Sequence, residues 1–254
     1  AHCVIVGFGL QDVAEKTIFE YENIKGEALA VPVSNINPYL VDAPDLVLEK
    51  RNQPICIVPT ISYGSMANDD GHLLLDKEQR NALIAAEPAT APYIRRYMGA
   101  QEFLNNAERW CLWLKDISPS LMRSSNELRH RIEAVRKFRA SSNREATRNL
   151  AATPSLFGED RQPLKSYLLL PKVSSENRPY MPIGFMPSEV IANGSALTIS
   201  DSGHYEMGVL QSKMHMAWMR AVAGRMKSDY QYSAQIVYNN FPWPDLPEKL
   251  EPNQ

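Results

Sequence analysis

The sequence is short of most features that would assign it a chemistry at once. Its 254 residues contain three cysteines, Cys3, Cys56 and Cys111, far apart and odd in number. With no Cys-x-x-Cys pair and no Cys/His cluster, a disulfide framework and a structural zinc site are both excluded. Few cysteines and no framework point to a reducing, cytoplasmic compartment. No apolar run approaches the roughly 20 residues that a membrane helix needs. Internal repeats and low-complexity segments are absent. Charge is nearly balanced, with 27 basic and 29 acidic residues for a net of -2, so the average gives no sign of a polyanionic partner. The five histidines, His2, His72, His130, His204 and His215, have no Ser or Cys partner at the spacing of a catalytic triad.

What is present is a folded composition, 44% apolar and 22% charged, enough for one sizeable core or two modest ones. The opening Val4 to Phe8 reads as a buried strand and Thr17 to Tyr21 as a second. A Pro- and Asn-rich connector runs from Asn35 to Pro59. Ser62 to Gly71 is loop-like, and Asp69-Asp70 within it is a turn in preference to a metal pair. Asp76 caps a helix that ends before Pro88, with Leu83 and Ile84 turned inward. Ala100 to Leu114 is helical in part, and Trp110 and Trp113, three apart, read as core packing. Ser118-Pro119 has the cap and first-turn chemistry to open one long helix to about Ala140. On it Leu128, Ile132, Val135 and Phe138 form an apolar stripe.

Short apolar runs follow at Tyr167–Leu170, Met181–Phe185, Val190–Ile191 and Ala196–Ile199, each bounded by turn residues. A helix from Leu210 to Gly224 buries Met214, Ala217, Trp218, Ala221 and Val222. Ile236–Tyr238 closes as a strand, and Phe241-Pro-Trp-Pro is a rigid exit. The pattern is α+β: short-stranded sheets with a few helices, preceded by the remnant of another sheet.

Three stretches carry the functional signal. Arg123 to Arg148 holds eight basic residues against three acidic ones, a local excess that the net charge conceals. Such a stripe suits phosphate on one face of a helix, through Arg123, Arg129, Arg136 and Lys137, and equally suits a solvated face. Lys172 to Arg178 is a polar stretch at the end of an apolar strand. Its Lys172, Ser174, Ser175 and Arg178 can meet phosphates and base edges. Arg225 to Ser233 is the third. Read as an extended strand from Lys227, it puts Lys227, Asp229 and Gln231 on one face, a cation, a carboxylate and an amide in register. Lys donates to guanine, Asp accepts from the cytosine amino group, and Gln pairs with adenine.

Two motifs point elsewhere. Gly7-Phe8-Gly9 after a strand resembles the start of a nucleotide-binding loop, but Asp12 stands where the third glycine belongs. That leaves a stand-alone nucleotide-binding enzyme as one alternative. A protein-interaction module built on the Met- and Trp-rich Met214 to Met219 is another. Asn37-Pro38-Tyr39 resembles the adenine-gripping loop of amino-methyltransferases without its second proline.

The strings Lys172 to Phe185, Met214 to Arg220 and Val237 to Pro244 resemble the target-recognition domain of MmeI-like restriction–modification enzymes. Asn105 to Leu114 and Tyr39-Leu-Val-Asp42 resemble it too. The resemblance spans about residues 39 to 244. It implies residues 1–38 as the end of a methyltransferase domain, 39–244 as a domain that reads double-stranded DNA, and 245–254 as an exit linker. It further implies an adenine-N6 methyltransferase using S-adenosylmethionine, of the type II restriction–modification kind, with that domain upstream in the same polypeptide. The cofactor loop and catalytic loop of such enzymes are not in this sequence, so the chain is expected to bind no cofactor and to hold no catalytic residue. Base reading falls by this resemblance to Lys172, Asn193, Lys227, Asp229 and Gln231, and phosphate contact also to Arg225.

Overall fold

A computed structural model of the chain describes residues 4–23 and 25–245. In chain order the elements are β1 (Lys16–Glu20), β2 (Leu29–Val33), β3 (Ile61–Tyr63), β4 (Leu74–Leu75), α1 (Lys77–Ala86), β5 (Ile94–Met98), α2 (Ala100–Asn105) and β6 (Trp110–Leu112). There follow α3 (Pro119–Ser124), α4 (Asn126–Ala140), α5 (Glu145–Asn149), β7 (Tyr167–Pro171), β8 (Val173–Ser174), β9 (Gly184–Met186), β10 (Ile191–Ala192) and β11 (Ala196–Ser200). The last are α6 (His204–Leu210), α7 (Lys213–Val222), β12 (Gly224–Met226) and β13 (Asp229–Gln231). The strands form four small sheets, ordered β1-β2, β10-β5-β6-β4, β3-β11-β7-β9 and β12-β13-β8. Among the named strands of the described residues, β10 and β5 are the one parallel pair. The α+β reading stands.

The continuous apolar run Tyr167–Pro171 is the central strand of its sheet, buried on both faces, as an unalternated run should be. Leu168 and Leu170 face a core made with Leu197, Ile199, Met216, Met219, Tyr232, Tyr238 and Phe241. Tyr167 and Leu169 face Met98, Ala192 and Ala196. A third core packs Leu73, Leu75, Trp110 and Leu112 of the β4–β6 sheet beneath Leu83 of α1 and Leu128, Ile132 and Val135 of α4.

Several expectations need correction. Val4 to Phe8 forms no strand, and Ile5 and Phe8 are almost fully exposed; they find no partner strand among the described residues. The single helix from Ser118 is two. Ser125 sits at ψ 118 and caps α4, its hydroxyl accepting from Leu128 N, so a second start interrupts the first helix. Trp110 lies in β6, not a helix, although its packing role holds. The helix from Leu210 begins afresh at Lys213, and its buried residues are His215, Met216 and Met219, with Met214 exposed. Ala217 and Ala221 are exposed as well. Apolar residues on every side of Lys213–Val222 blurred the phase of that stripe. Ala234–Tyr238 is a turn of π-helix and not a strand.

The largest correction concerns Arg139. Counted from sequence among the outward cations, it is fully buried. Its Nε donates to Asn68 O at 2.9 Å, Nη1 to Leu150 O and Thr153 O at 2.9 Å each, and Nη2 to Ala67 O at 2.8 Å and Leu156 O at 2.7 Å. All five guanidinium donors are used. Phe138, assigned to the buried stripe, is exposed instead.

Replacing Arg139 removes the shared partner of five carbonyls in two separate segments, that of buried Ala67 among them. Arg139→Met should destabilise the fold by about 3–5 kcal/mol, and Arg139→Lys should not restore it, since an ammonium has three donors and no fork. Urea denaturation of the two variants checks this; a loss under about 1 kcal/mol would show that water replaces the guanidinium without penalty.

Candidate nucleic-acid interface

The fold brings together two of the three candidate stretches. β13 pairs antiparallel with β8, Tyr230 opposite Ser174 and Gln231 opposite Val173. β12 completes the sheet on the other side, Arg225 opposite Tyr230. Tyr232 N donates to Lys172 O at 2.8 Å, and Lys172 N donates to Ser195 O at 3.0 Å. Lys172, the Asn193–Ser195 turn and the β12–β13 hairpin are therefore one connected surface, assembled from segments up to about sixty residues apart.

Along β13 burial alternates. Asp229 and Gln231 are half-buried, while Tyr230 and Tyr232 are buried, so the first pair shares one face and the tyrosines anchor the other. Lys227 does not belong to that alternation. It is the first of the two loop residues joining Met226 to Asp229, with φ +59. A lysine at positive φ costs about 1 kcal/mol or more, because its Cβ crowds the backbone. The extended strand from Lys227 and the same-face spacing of Lys227 and Asp229 are thus replaced by a tight hairpin with Lys227 exposed at its tip. Nothing in the local sequence, no Gly or Asn, announced that turn. Arg225 braces the hairpin: its guanidinium lies 3.8 Å from the Tyr230 ring centroid and donates to Ser228 O at 3.0 Å.

The other candidates fall into distinct settings. Lys172 is half-buried with Nζ 5.1 Å from the Tyr63 ring centroid, a cation–π contact. Ser174 is buried and its Oγ has no hydrogen-bond partner among the described residues. Ser175 Oγ accepts from Asn177 N, organising the turn that leads to half-buried Arg178.

Asn193 is recessed. Its Oδ1 accepts from Ser195 N at 2.8 Å and Ser195 Oγ at 2.6 Å, and its backbone N donates to Met98 O. Gly64 and Gly99 exist to admit it: a Cβ on Gly99 would lie 2.1 Å from Asn193 Nδ2, and one on Gly64 2.3 Å from Asn193 O. Asn193 forms part of the wall of a cleft of about 390 Å³ that also includes Asp69, Tyr97, Glu102 and Arg109. Asp69 accepts from Leu73 N, the turn role expected of it.

The basic helix stands apart from this surface and is less free than its count suggests. Arg131 is half-buried against Glu127 and His72 O, Arg136 lies 3.4 Å from Glu133, and Arg129 donates to Asn126. Arg123 and Lys137 are exposed with no ion pair among the described residues.

Behind β13 lies a pair that the sequence did not reveal. His215 of α7 is fully buried, its Nε2 2.9 Å from the Tyr232 hydroxyl, with the Phe241 ring edge-on at 4.6 Å. Burial alone drives its pKa down to about 4, so the imidazole is neutral where the Tyr232 hydroxyl meets it. Sequence gave a lone histidine in a Met-rich helix; only the tertiary pairing gives it a role.

Elsewhere, Gly7-Phe8-Gly9 is irregular, Phe8 is almost fully exposed and no helix follows. It makes no phosphate loop. Among the described residues no group of three His, Cys, Asp or Glu side chains is placed to hold a metal ion, and no helix is long and apolar enough to cross a membrane.

The small sheet β12-β13-β8 thus has Tyr230 and Tyr232 on its anchored side, with Arg225 against Tyr230, and Asp229 and Gln231 on the other, in a chain of the α+β class. The chain belongs to the family described as MmeI, target recognition domain, which matches residues 42–245. It is similar to DNA methyltransferase A of Bacillus subtilis (strain 168), 38% identical over 244 residues, which cover 96% of this chain and 27% of that protein. It is also similar to the solved type IIL restriction-modification enzyme MmeI in complex with DNA, with a TM-score of 0.90 and 45% identity, covering 95% of this chain and 32% of that one. The chain spans about a third or less of the length of these relatives.

The buried histidine makes stability pH-dependent. Unfolded, His215 takes up a proton near pH 6.5; folded, only near 4. Stability from this group is complete above about pH 6.5 and is lost as pH falls towards 4, by about 3 kcal/mol in all. His215→Leu should flatten that acid limb when urea midpoints are compared at pH 7 and pH 4.5. An unchanged limb would place the titration elsewhere.

Proposed function

We propose that this chain is the sequence-reading part of an S-adenosylmethionine-dependent DNA adenine-N6 methyltransferase of a restriction–modification system, working on double-stranded DNA in the cytoplasm. The observation that carries the reading is the junction of Lys172, the Asn193–Ser195 turn and the β12–β13 hairpin within a chain of the MmeI target-recognition family. Residues 39–244 form the reading domain, 1–38 end the methyltransferase domain that precedes it in the polypeptide, and 245–254 lead away. S-adenosylmethionine belongs to that upstream domain. The irregular, exposed Gly7-Phe8-Gly9 offers it no cradle, and no step of methyl transfer is assigned to residues of this chain.

The division of labour follows from exposure. Lys227, Asp229 and Gln231 read base edges in the major groove, with Lys172 beside them. Asn193, recessed and twice bonded to Ser195, reads through its remaining amide donor or through the shape of its turn. Arg123, Arg129, Arg136 and Lys137 on the helical side, and Ser175, Arg178 and Arg225 around the sheet, meet phosphates. Ser174 joins them only if its buried hydroxyl is uncovered, whereas its backbone already holds β13.

Lys227 in the loop and Asp229 at the first strand position beyond it bracket a single step of the duplex. Guanine O6 and N7 accept from an ammonium, and the cytosine amino group donates to a carboxylate, so the pair favours G·C with guanine towards Lys227. In the intact protein, Lys227→Glu combined with Asp229→Arg should change the base pair accepted at one position, leaving the other positions and the melting temperature as they were. Sequencing of methylated sites reads the outcome. Full activity at an unaltered recognition sequence would show that the hairpin tip is merely a solvated turn.

A further inference from the structure

From Met207 to Ser228 the chain contains no aspartate or glutamate, yet it carries Lys213, Arg220, Arg225 and Lys227. The run crosses the whole of α7 and enters the hairpin. The buried side of α7 is His215, Met216 and Met219; Lys213, Ala217, Arg220 and Ala221 are all exposed. Lys213 and Arg220 make no ion pair and no side-chain hydrogen bond among the described residues, in contrast to Arg131, Arg136, Lys115 and Lys165, each of which faces a carboxylate. Only Ala223 separates α7 from β12, so the helix leads directly into the strand that carries exposed Arg225 and the tip that carries exposed Lys227.

We infer that the outer face of α7 is a second phosphate-contacting surface, on which Lys213 and Arg220 grip the DNA backbone next to the groove entered by the hairpin. Seven residues apart, the two cations lie on one side of the helix about 10.5 Å apart along its axis. A DNA strand rises about 3.4 Å along the duplex axis per phosphate, so cations this far apart meet two different phosphates. Between them on this face lies the small Ala217, with exposed Met214 at its border, and the absence of carboxylates leaves both cations without internal neutralisation. This surface contributes affinity and register, not base identity. The inference rests on the DNA-reading function proposed above.

The test measures duplex binding by the intact protein across a salt series. Lys213→Gln with Arg220→Gln should weaken cognate and unrelated duplexes by the same factor and flatten the slope of log affinity against log salt by about 1.8, two contacts at about 0.9 each. The methylated sequence should stay the same. Lys115→Gln with Lys165→Gln removes the same charge from cations facing Asp160 and Asp201 and should leave the slope alone. The charge-preserving Lys213→Arg with Arg220→Lys should keep the wild-type slope. The inference is overturned if the glutamine pair keeps that slope, if the control pair flattens it equally, or if the charge-preserving pair flattens it too. Absence of sequence-dependent binding in the wild-type protein would instead overturn the function on which it rests.

Discussion

The Arg139 guanidinium is the constraint from which the arrangement of the site can be followed. It bonds five carbonyls in two loops, 67–68 and 150–156, and so fixes helix α4 to the strip of chain that leads out of β3. That strip is held in turn: Ser65 N donates to Ala192 O, and Met66 exchanges hydrogen bonds with Glu159. Next to Ala192 stands Asn193, which holds Ser195; Ser195 O receives Lys172 N; Lys172 O receives Tyr232 N; and the Tyr232 hydroxyl meets His215. An unbroken series of backbone and side-chain bonds thus runs from the helical side of the molecule to the hairpin. Removing a buried charge with five partners costs far more than removing any one of the later links, which is why the series starts there.

Sequence was most informative where the physics is local. Asp76 reads as a helix cap, and α1 begins directly after it, with Gln79 completing a capping box in the structure. Tyr167 to Leu170 and Ala196 to Ile199 read as short strands, and the structure pairs them as β7 and β11. The alternation of Asp229, Tyr230, Gln231 and Tyr232 likewise survives folding. Sequence failed where the outcome depends on distant partners. Arg139 looks like any other arginine of a basic helix until the 67–68 and 150–156 loops close over it. The phase of α7 could not be read from Lys-Met-His-Met-Ala-Trp-Met-Arg, because residues on every side are apolar enough to be buried. The turn at Lys227 breaks the usual rule for positive φ, and local preference gave no hint of it.

The same contrast applies within the candidate site. Lys172, Asp229 and Gln231 stood out as candidates because their chemistry matches base edges, and the structure brings Lys172, between β7 and β8, beside β13. Asn193 was legible only as a polar residue in a turn; its tight fit against Gly64 and Gly99 is a property of three segments packed together. His215 and Tyr232 were silent for the same reason.

The way the hairpin is held bears on what it can tolerate. Tyr230 lies under the Arg225 guanidinium and Tyr232 is pinned by His215, so β13 is fixed from its buried side. Lys227 is exposed, and Asp229 and Gln231 are half-buried on the opposite face with no side-chain hydrogen bond among the described residues. Surface substitutions free of such bonds usually change stability by less than about 0.5 kcal/mol. The chemistry presented at these three positions is therefore nearly uncoupled from the fold that presents it. Positions 172 and 193 are different, because Lys172 lies over Tyr63 and Asn193 is locked between two glycines. A substitution made at the hairpin leaves the frame intact, whereas one made at Asn193 must also repack the turn against Gly64 and Gly99.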